Sequence, residues 1–322
     1  MKIFVTRKIP EPGLEILRKE HDVEVFSYDR VPTKKEIING LKGKDGLLCL
    51  LSDQIDAEVI NSEPKLKMIA SYAVGYDNID VKAATKKKIP VSNTPGVLTE
   101  ATAEMAWALI FSVSRRIVEA DKFTRVGKFN GWGPMLMLGQ DVTKKTLGII
   151  GAGRIGTSVA LKSKGFDMKV LYFSGHTNEL LEKELNAKKV ELCDLLKESD
   201  FISLHVPLTE KTHHLIGEKE LKMMKKTSIL INTSRGPIIN EKALVKALKE
   251  KWIFGAGLDV YEHEPEINEE LKKIGNVVLQ PHSASATINS RTNMAKLAAE
   301  NMMAGLKGKI PPNCINNEVF KV

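Results

Sequence analysis

Two sets of residues in this sequence have the types and spacing to do chemistry. The first is Leu147-Gly-Ile-Ile-Gly-Ala-Gly-Arg-Ile-Gly156, in which an apolar run meets Gly151-x-Gly153-x-x-Gly156 and a helical pattern, Thr157 to Ser163, follows at once. Strand, tight turn and helix in that order make a dinucleotide cradle. Gly151 permits the turn, Gly153 lets a backbone without a Cβ approach a pyrophosphate, and Gly156 lets the helix pack close to the strand. Amides at the helix start then face the anion, aided by the helix dipole. An ordinary glycine-rich turn would lack the flanking strand and helix that are both present here.

The second set is three charged residues just past expected strands: Arg235 in Asn232-Thr-Ser-Arg-Gly236, Glu264 in Leu258-Asp-Val-Tyr-Glu-His-Glu-Pro265, and His282 in Gln280-Pro-His282. In open α/β sheets ligands lie beyond the carboxyl ends of strands, so all three can converge on one crevice. Each alone has a blander role, Arg235 as a C-cap, Glu264 as a solvated loop acid and His282 as a core histidine. Together, in glycine- and proline-bounded turns, they make a candidate site.

The elements that must position these residues read as two α/β layers, and 322 residues is long enough for two domains. In residues 1–98, Ile3 to Val5, Val23 to Phe26, Gly46 to Leu51, Met68 to Ser71 and Val91 to Asn93 read as strands, with helices at Pro10 to Arg18 and Thr33 to Leu41. Short strands alternating with helices imply a parallel sheet, here without a glycine fingerprint. A long helix is expected from Thr99 past Arg115-Arg116 toward Val126. The stretch Gly127 to Gly139, with Phe129, Trp132, Met135, Leu136 and Met137, reads as a packed connecting loop or subunit contact in preference to a substrate box. The cradle strand is then followed by strands at Lys169 to Phe173, Asp200 to His205, Ser228 to Asn232, Gly255 to Asp259 and Val277 to Gln280. Helices fall between them at Leu180 to Leu185, Leu221 to Met224 and Glu241 to Glu250, and a last helix spans Ile288 to Leu306.

The net charge of +8 comes from lysines spread in short groups such as Lys86 to Lys88, with few aromatics between them, so no nucleic-acid partner is expected. Cys49, Cys193 and Cys314 are odd in number and far apart, which fits a reducing cytoplasm and no disulfide framework. The chain opens on a strand pattern with no signal-peptide organisation, and no apolar run reaches membrane-spanning length. The histidines, including His213-His214 and His263, lack metal-ligand spacing, so no metal is expected.

With these residues in place the chain resembles the D-isomer-specific 2-hydroxyacid dehydrogenases, and within them the glyoxylate/hydroxypyruvate reductases. The likeness runs through Ala73-Val-Gly-Tyr-Asp-Asn-Ile-Asp80, Asn93-Thr-Pro-Gly-Val-Leu-Thr99, Gly151 to Gly156, His205-Val-Pro-Leu-Thr209, Ile231-Asn-Thr-Ser-Arg-Gly236, Gly257-Leu-Asp-Val-Tyr261 and Pro281-His282. It implies two doubly wound parallel-sheet domains, a Rossmann nucleotide domain (99–286) inserted into a flavodoxin-like substrate domain (1–98, completed by 287–322), with catalysis in the cleft. It also implies a homodimer acting on small 2-oxo and 2-hydroxy acids. By position, Arg235 would hold the substrate carboxylate and carbonyl, as a permanently charged planar fork can. His282 would be the general acid in reduction, and Glu264 would orient the imidazole and stabilise the imidazolium. The amides of Val74 and Gly75 would grip the carboxylate. Thr102, Arg154, Ile155, Pro207, Thr233, Ser234, Asp259 and Ala284 would lie near the cofactor. One departure is Ser283-Ala284-Ser285-Ala286, where the family usually has x-Gly-Ser-Ala after the histidine. Corepressors that look like this family keep the fold and the trio but carry extra binding segments that this sequence lacks, so an enzyme is expected.

The cofactor expectation comes from a missing residue. A site that prefers NAD places Asp or Glu at the end of the second Rossmann strand, where it binds the ribose 2′-hydroxyl and repels a 2′-phosphate. Here Tyr172-Phe173 is followed by Ser174-Gly175-His176, which offers donors and no carboxylate. NADP(H) is therefore favoured, with NAD(H) use allowed by the absence of a repelling acid.

Overall fold

A computed structural model of the protein describes residues 1–321. The chain divides into two compact units, Met1–Leu98 with Ala286–Val322, and Thr99–Ser285.

In the first unit the chain runs β1 (Lys2–Val5), α1 (Glu11–Arg18), β2 (Asp22–Val25), α2 (Lys34–Leu41), β3 (Gly46–Cys49), α3 (Ala57–Asn61), β4 (Met68–Ser71), α4 (Val81–Lys86) and β5 (Val91–Ser92). The strands form one parallel sheet in the order β2-β1-β3-β4-β5. That is the flavodoxin-like order. The central strands β3 and β4 are buried along their whole length, as a sheet covered on both faces requires. Side-chain caps start the helices: Thr33 and Glu36 make a capping box on α2, and Asp56 and Asp80 accept from Val59 and Ala83 to start α3 and α4. After the second unit the chain ends in a long helix (Ile288–Leu306) that belongs to the first. It lies so close to α1 that a Cβ on Gly13 would come within 2.6 Å of the Ala295 carbonyl. The tail then seals the β5 edge, with Ile315 donating to the Val91 carbonyl at 2.7 Å and Val91 donating to the Asn316 side chain at 2.8 Å.

The second unit contains α5 (Thr99–Ser114), α6 (Ile117–Arg125), β6 (Thr146–Ile150), α7 (Arg154–Lys162), β7 (Lys169–Phe173), α8 (Glu179–Leu185), β8 (Lys188–Lys189), α9 (Leu192–Glu198), β9 (Phe201–Leu204), α10 (Glu218–Met223), β10 (Ile229–Asn232), α11 (Glu241–Lys249), β11 (Gly255–Leu258), α12 (Glu269–Lys273) and β12 (Val277–Leu279), leaving the terminal helix Ile288–Leu306 as α13. Its seven parallel strands are ordered β12-β11-β10-β9-β6-β7-β8. Strand order reverses between β6 and β9, the topological switch point at which open α/β sheets bind ligands.

Three expectations are corrected. The single long helix is two, because Arg116 adopts a left-handed conformation (φ 54°) between α5 and α6, while the Ser114 carbonyl accepts from the Gln140 amide at 2.8 Å. The helix of the cradle begins at Arg154, three residues before its expected start, because Gly153 occupies the N-cap position. Of the two alternatives for Gly127 to Gly139, the packed loop is the one set aside: Phe129, Trp132, Met135 and Leu138 are exposed, Trp132 to 85%. No helix among the described residues is long and apolar enough to cross a membrane.

Candidate active site

The cradle sits at the carboxyl end of β6, beside that of β9. Gly151 has φ +98°, which only glycine adopts freely, and a Cβ on it would lie 2.7 Å from the His205 carbonyl at the end of β9. A Cβ on Gly153, by contrast, would meet nothing within 4 Å, so the turn is tight on its sheet side and open on the other. Gly156 packs directly on the Gly151 carbonyl. Arg154 and Ile155 open α7, with Arg154 exposed. Thr102, on α5, and Thr233, after β10, are buried, and the Thr233 hydroxyl has no hydrogen-bond partner among the described residues. A bound partner would satisfy such a group. The open backbone turn and the orphaned hydroxyl both fit a dinucleotide.

Arg235, Glu264 and His282 follow β10, β11 and β12, which are neighbours in the sheet. His282 Nδ1 lies 2.8 Å from a Glu264 carboxylate oxygen, whose other oxygen accepts from the Tyr261 amide at 3.0 Å. Burial pushes the Glu264 carboxyl up, but the His282 hydrogen bond and charge, the Tyr261 amide and the nearby Arg235 charge together hold it below its ordinary value. The Arg235 turn is shaped by the buried Asn232, which donates to the Arg235 carbonyl at 2.9 Å and accepts from the Ser234 amide at 3.0 Å. Ser234 Oγ donates to the Val206 carbonyl at 2.5 Å, tying the turn to the segment before Pro207.

Asp259 does more than the sequence reading gave it. Fully buried, it accepts from the Ser283 amide at 2.7 Å and the Ala284 amide at 2.8 Å, while its carbonyl accepts from the His282 amide at 2.9 Å. Burial raises its pKa against those amides. The clamp holds His282 at φ 53°, a conformation costing a non-glycine residue about 1–3 kcal/mol and typical of functional sites. Ala284 is not among the residues with positive φ, so this backbone does not call for glycine there.

Ser174, Gly175 and His176 form the turn after β7, half-buried at Ser174 and exposed beyond it. Asn178, which caps the helix after this turn, was not singled out in the sequence; its signal there is an Asn immediately before the helical run Glu179 to Leu185. Val74 and Gly75 lie in the first unit, in the loop after β4, held by Asn93 donating to the Val74 carbonyl at 2.7 Å and by Thr94 donating to the Ala73 carbonyl at 2.8 Å. No hydrogen bond from either amide is found among the described residues.

A cradle at the switch point of a doubly wound sheet, with an imidazole–carboxylate pair and an arginine past adjacent strands, defines a nicotinamide-dependent oxidoreductase. Residues 107–284 match the family model of the D-isomer specific 2-hydroxyacid dehydrogenase NAD binding domain. A glyoxylate reductase of Korarchaeum cryptofilum (strain OPF8) is 54% identical to this chain, covering 100% of it and 97% of the relative. A crystal structure of a Thermus thermophilus protein superposes with a TM-score of 0.92 at 42% identity, covering 98% of this chain and 100% of that one. An NADPH-dependent glyoxylate/hydroxypyruvate reductase of Sinorhizobium meliloti, solved with NADP and malonate, superposes with a TM-score of 0.88 at 28% identity, covering 98% and 96%. The chain belongs to the D-isomer specific 2-hydroxyacid dehydrogenase family and is an NAD(P)-dependent enzyme.

Proposed function

We propose that this protein reduces glyoxylate to glycolate and hydroxypyruvate to D-glycerate, with NADPH preferred over NADH. The observation that carries the reading is the 2.8 Å His282–Glu264 pair past β12 and β11, next in the sheet to β10 and its Arg235 turn. The bound nicotinamide supplies the hydride. With Nδ1 engaged by Glu264, the imidazole has Nε2 for the substrate and gives its proton to the carbonyl oxygen as charge develops there. Arg235 holds the carboxylate and the carbonyl. The names of the full-length relative and of the Sinorhizobium enzyme support the substrate class, and the latter's NADP and malonate support both the cofactor and a small acid ligand.

The cofactor preference rests on the turn after β7, which presents Ser174, Gly175 and His176 without a carboxylate. The assembly we propose is a homodimer. No residue of α6 is buried, and Ile117, Val126, Phe129, Trp132, Met135 and Leu138 are exposed apolar side chains that a second copy would cover. Light scattering would then give a dimer mass, and a mass of 35.7 kDa would refute it.

The test is a panel of glyoxylate, hydroxypyruvate, pyruvate and phosphohydroxypyruvate with NADPH and NADH, read by nicotinamide absorbance. Highest kcat/KM on the first two with NADPH is expected, and Ser174→Asp should move the cofactor ratio toward NADH. A clear preference for pyruvate or phosphohydroxypyruvate overturns the substrate. A native preference for NADH overturns the cofactor choice.

A further inference from the structure

We propose that Asn178 is a positioning residue for cofactor choice: it ties the Ser174–His176 turn to the glycine cradle, so that donors meant for a 2′-phosphate are held in place. Its side chain uses every group it has. Nδ2 donates to the Ala152 carbonyl inside the cradle at 3.0 Å and to Thr157 Oγ1 on α7 at 2.7 Å, while Oδ1 accepts from the Leu181 amide at 3.1 Å. The Asn178 amide donates to the Tyr172 hydroxyl at 3.0 Å, and that hydroxyl donates to Glu182 at 2.6 Å. From the far side the Gly151 amide donates to the Phe173 carbonyl at 2.9 Å. The turn is therefore fastened to the cradle at both ends, by Phe173 before it and by Asn178 after it.

A helix cap alone does not explain this residue. Ser, Thr or Asp would cap α8 as well as Asn does, but none of them can donate two hydrogen bonds while accepting one. The two extra bonds run to the cradle and add nothing to the cap. Their value follows from what the turn lacks. No arginine adjoins Ser174 in the sequence, and a serine hydroxyl with backbone amides binds well only if already placed. Fixing the turn is then what gives those donors their effect.

The proposal rests on the NADPH reading, and the experiment separates the two. Asn178→Ser keeps a cap and loses both bonds to the cradle, whereas Thr157→Ala removes one receiving oxygen and leaves the cap untouched. Calorimetric binding of 2′,5′-ADP and of 5′-AMP reads the turn without any turnover. Loss of two neutral hydrogen bonds should weaken 2′,5′-ADP about tenfold in Asn178→Ser and about threefold in Thr157→Ala. AMP should change little, and the KM for NADPH should rise in step while kcat holds. Equal weakening of both nucleotides, or lowered thermal stability with native binding, would mean a merely structural cap and overturn the proposal. If the native protein binds AMP as tightly as 2′,5′-ADP, the NADPH reading falls. The positioning proposal then falls with it, because the turn would hold no donors that select a 2′-phosphate.

Discussion

Past the carboxyl end of β3 in the first unit and of β11 in the second lies a buried aspartate, and the two act differently. Asp53 accepts from Thr6 Oγ1 at 2.5 Å and the Leu50 amide at 2.7 Å, and Asn78 donates to the Leu50 and Asp53 carbonyls at 3.0 and 2.7 Å. Everything it holds is loop backbone and a neighbouring strand end. Asp259 accepts two amides from the segment that carries His282, and so sets the backbone of an ionisable group. Both sheets are parallel, and in each the outer ends of strands form a surface for loops. Only the second adds a glycine cradle at its switch point and charged side chains on three adjacent turns. Fold alone therefore does not distinguish the units; the residues at the strand ends do.

The comparison breaks most sharply at His282. His282→Ala should lower kcat by about a hundred- to ten-thousand-fold, the usual contribution of a general acid, with dinucleotide affinity unchanged because the cradle lies on β6 and α7. Stopped-flow measurement of reduction alongside a fluorescence titration of cofactor would check it. Turnover close to native would remove His282 from its role.

A smaller effect is expected from Glu264→Gln. Both partners of the pair touch solvent, with side-chain exposures of 24% and 32%, so the charge contributes ~1 kcal/mol or less, a loss of about fivefold in kcat/KM. Glutamine can still accept from Nδ1 but brings no charge to the pair, so kcat should fall while cofactor affinity holds. Turnover at the native level would separate Glu264 from proton transfer and leave it as a structural partner.

How much of this was legible in the sequence differs between the units in the same way. The cradle could be read because each glycine answers a distinct backbone demand, and the trio because it sits in turns punctuated by glycine and proline. The Asp259 clamp and the Asn178 tie could not, since a hydrogen bond between two loops leaves no period in the chain. Arg116 broke the long helix without warning because arginine, unlike Gly, Asn or Asp, does not signal a left-handed residue. Helices of five to seven residues, such as α3, α9 and α12, carry too few turns to show a stripe, and the two-residue β8 shows no alternation.

The smallest effect, and the one that sharpens the contrast between the two aspartates, is on stability. Burial raises the Asp53 carboxyl above its ordinary value, against the hydrogen bonds from Thr6 and Leu50, and its Oδ1 has no partner among the described residues. Between the unfolded and the raised folded pKa the native state holds a proton that the unfolded chain has released, so this group's contribution to stability falls as pH rises through that window. The amide that replaces the carboxyl in an Asp53→Asn variant can accept from Thr6 and Leu50 with its oxygen and carries no charge to ionise, so that fall should vanish while kcat is kept. Subtracting native from variant cancels the parallel slope from Asp259, which stays in both proteins. Urea unfolding from about pH 4 to about pH 7 should therefore show the variant gaining on the native protein as pH rises. A difference that stays constant with pH would mean that Asp53 is ionised at no cost, and that the two buried carboxylates are not held in comparable environments.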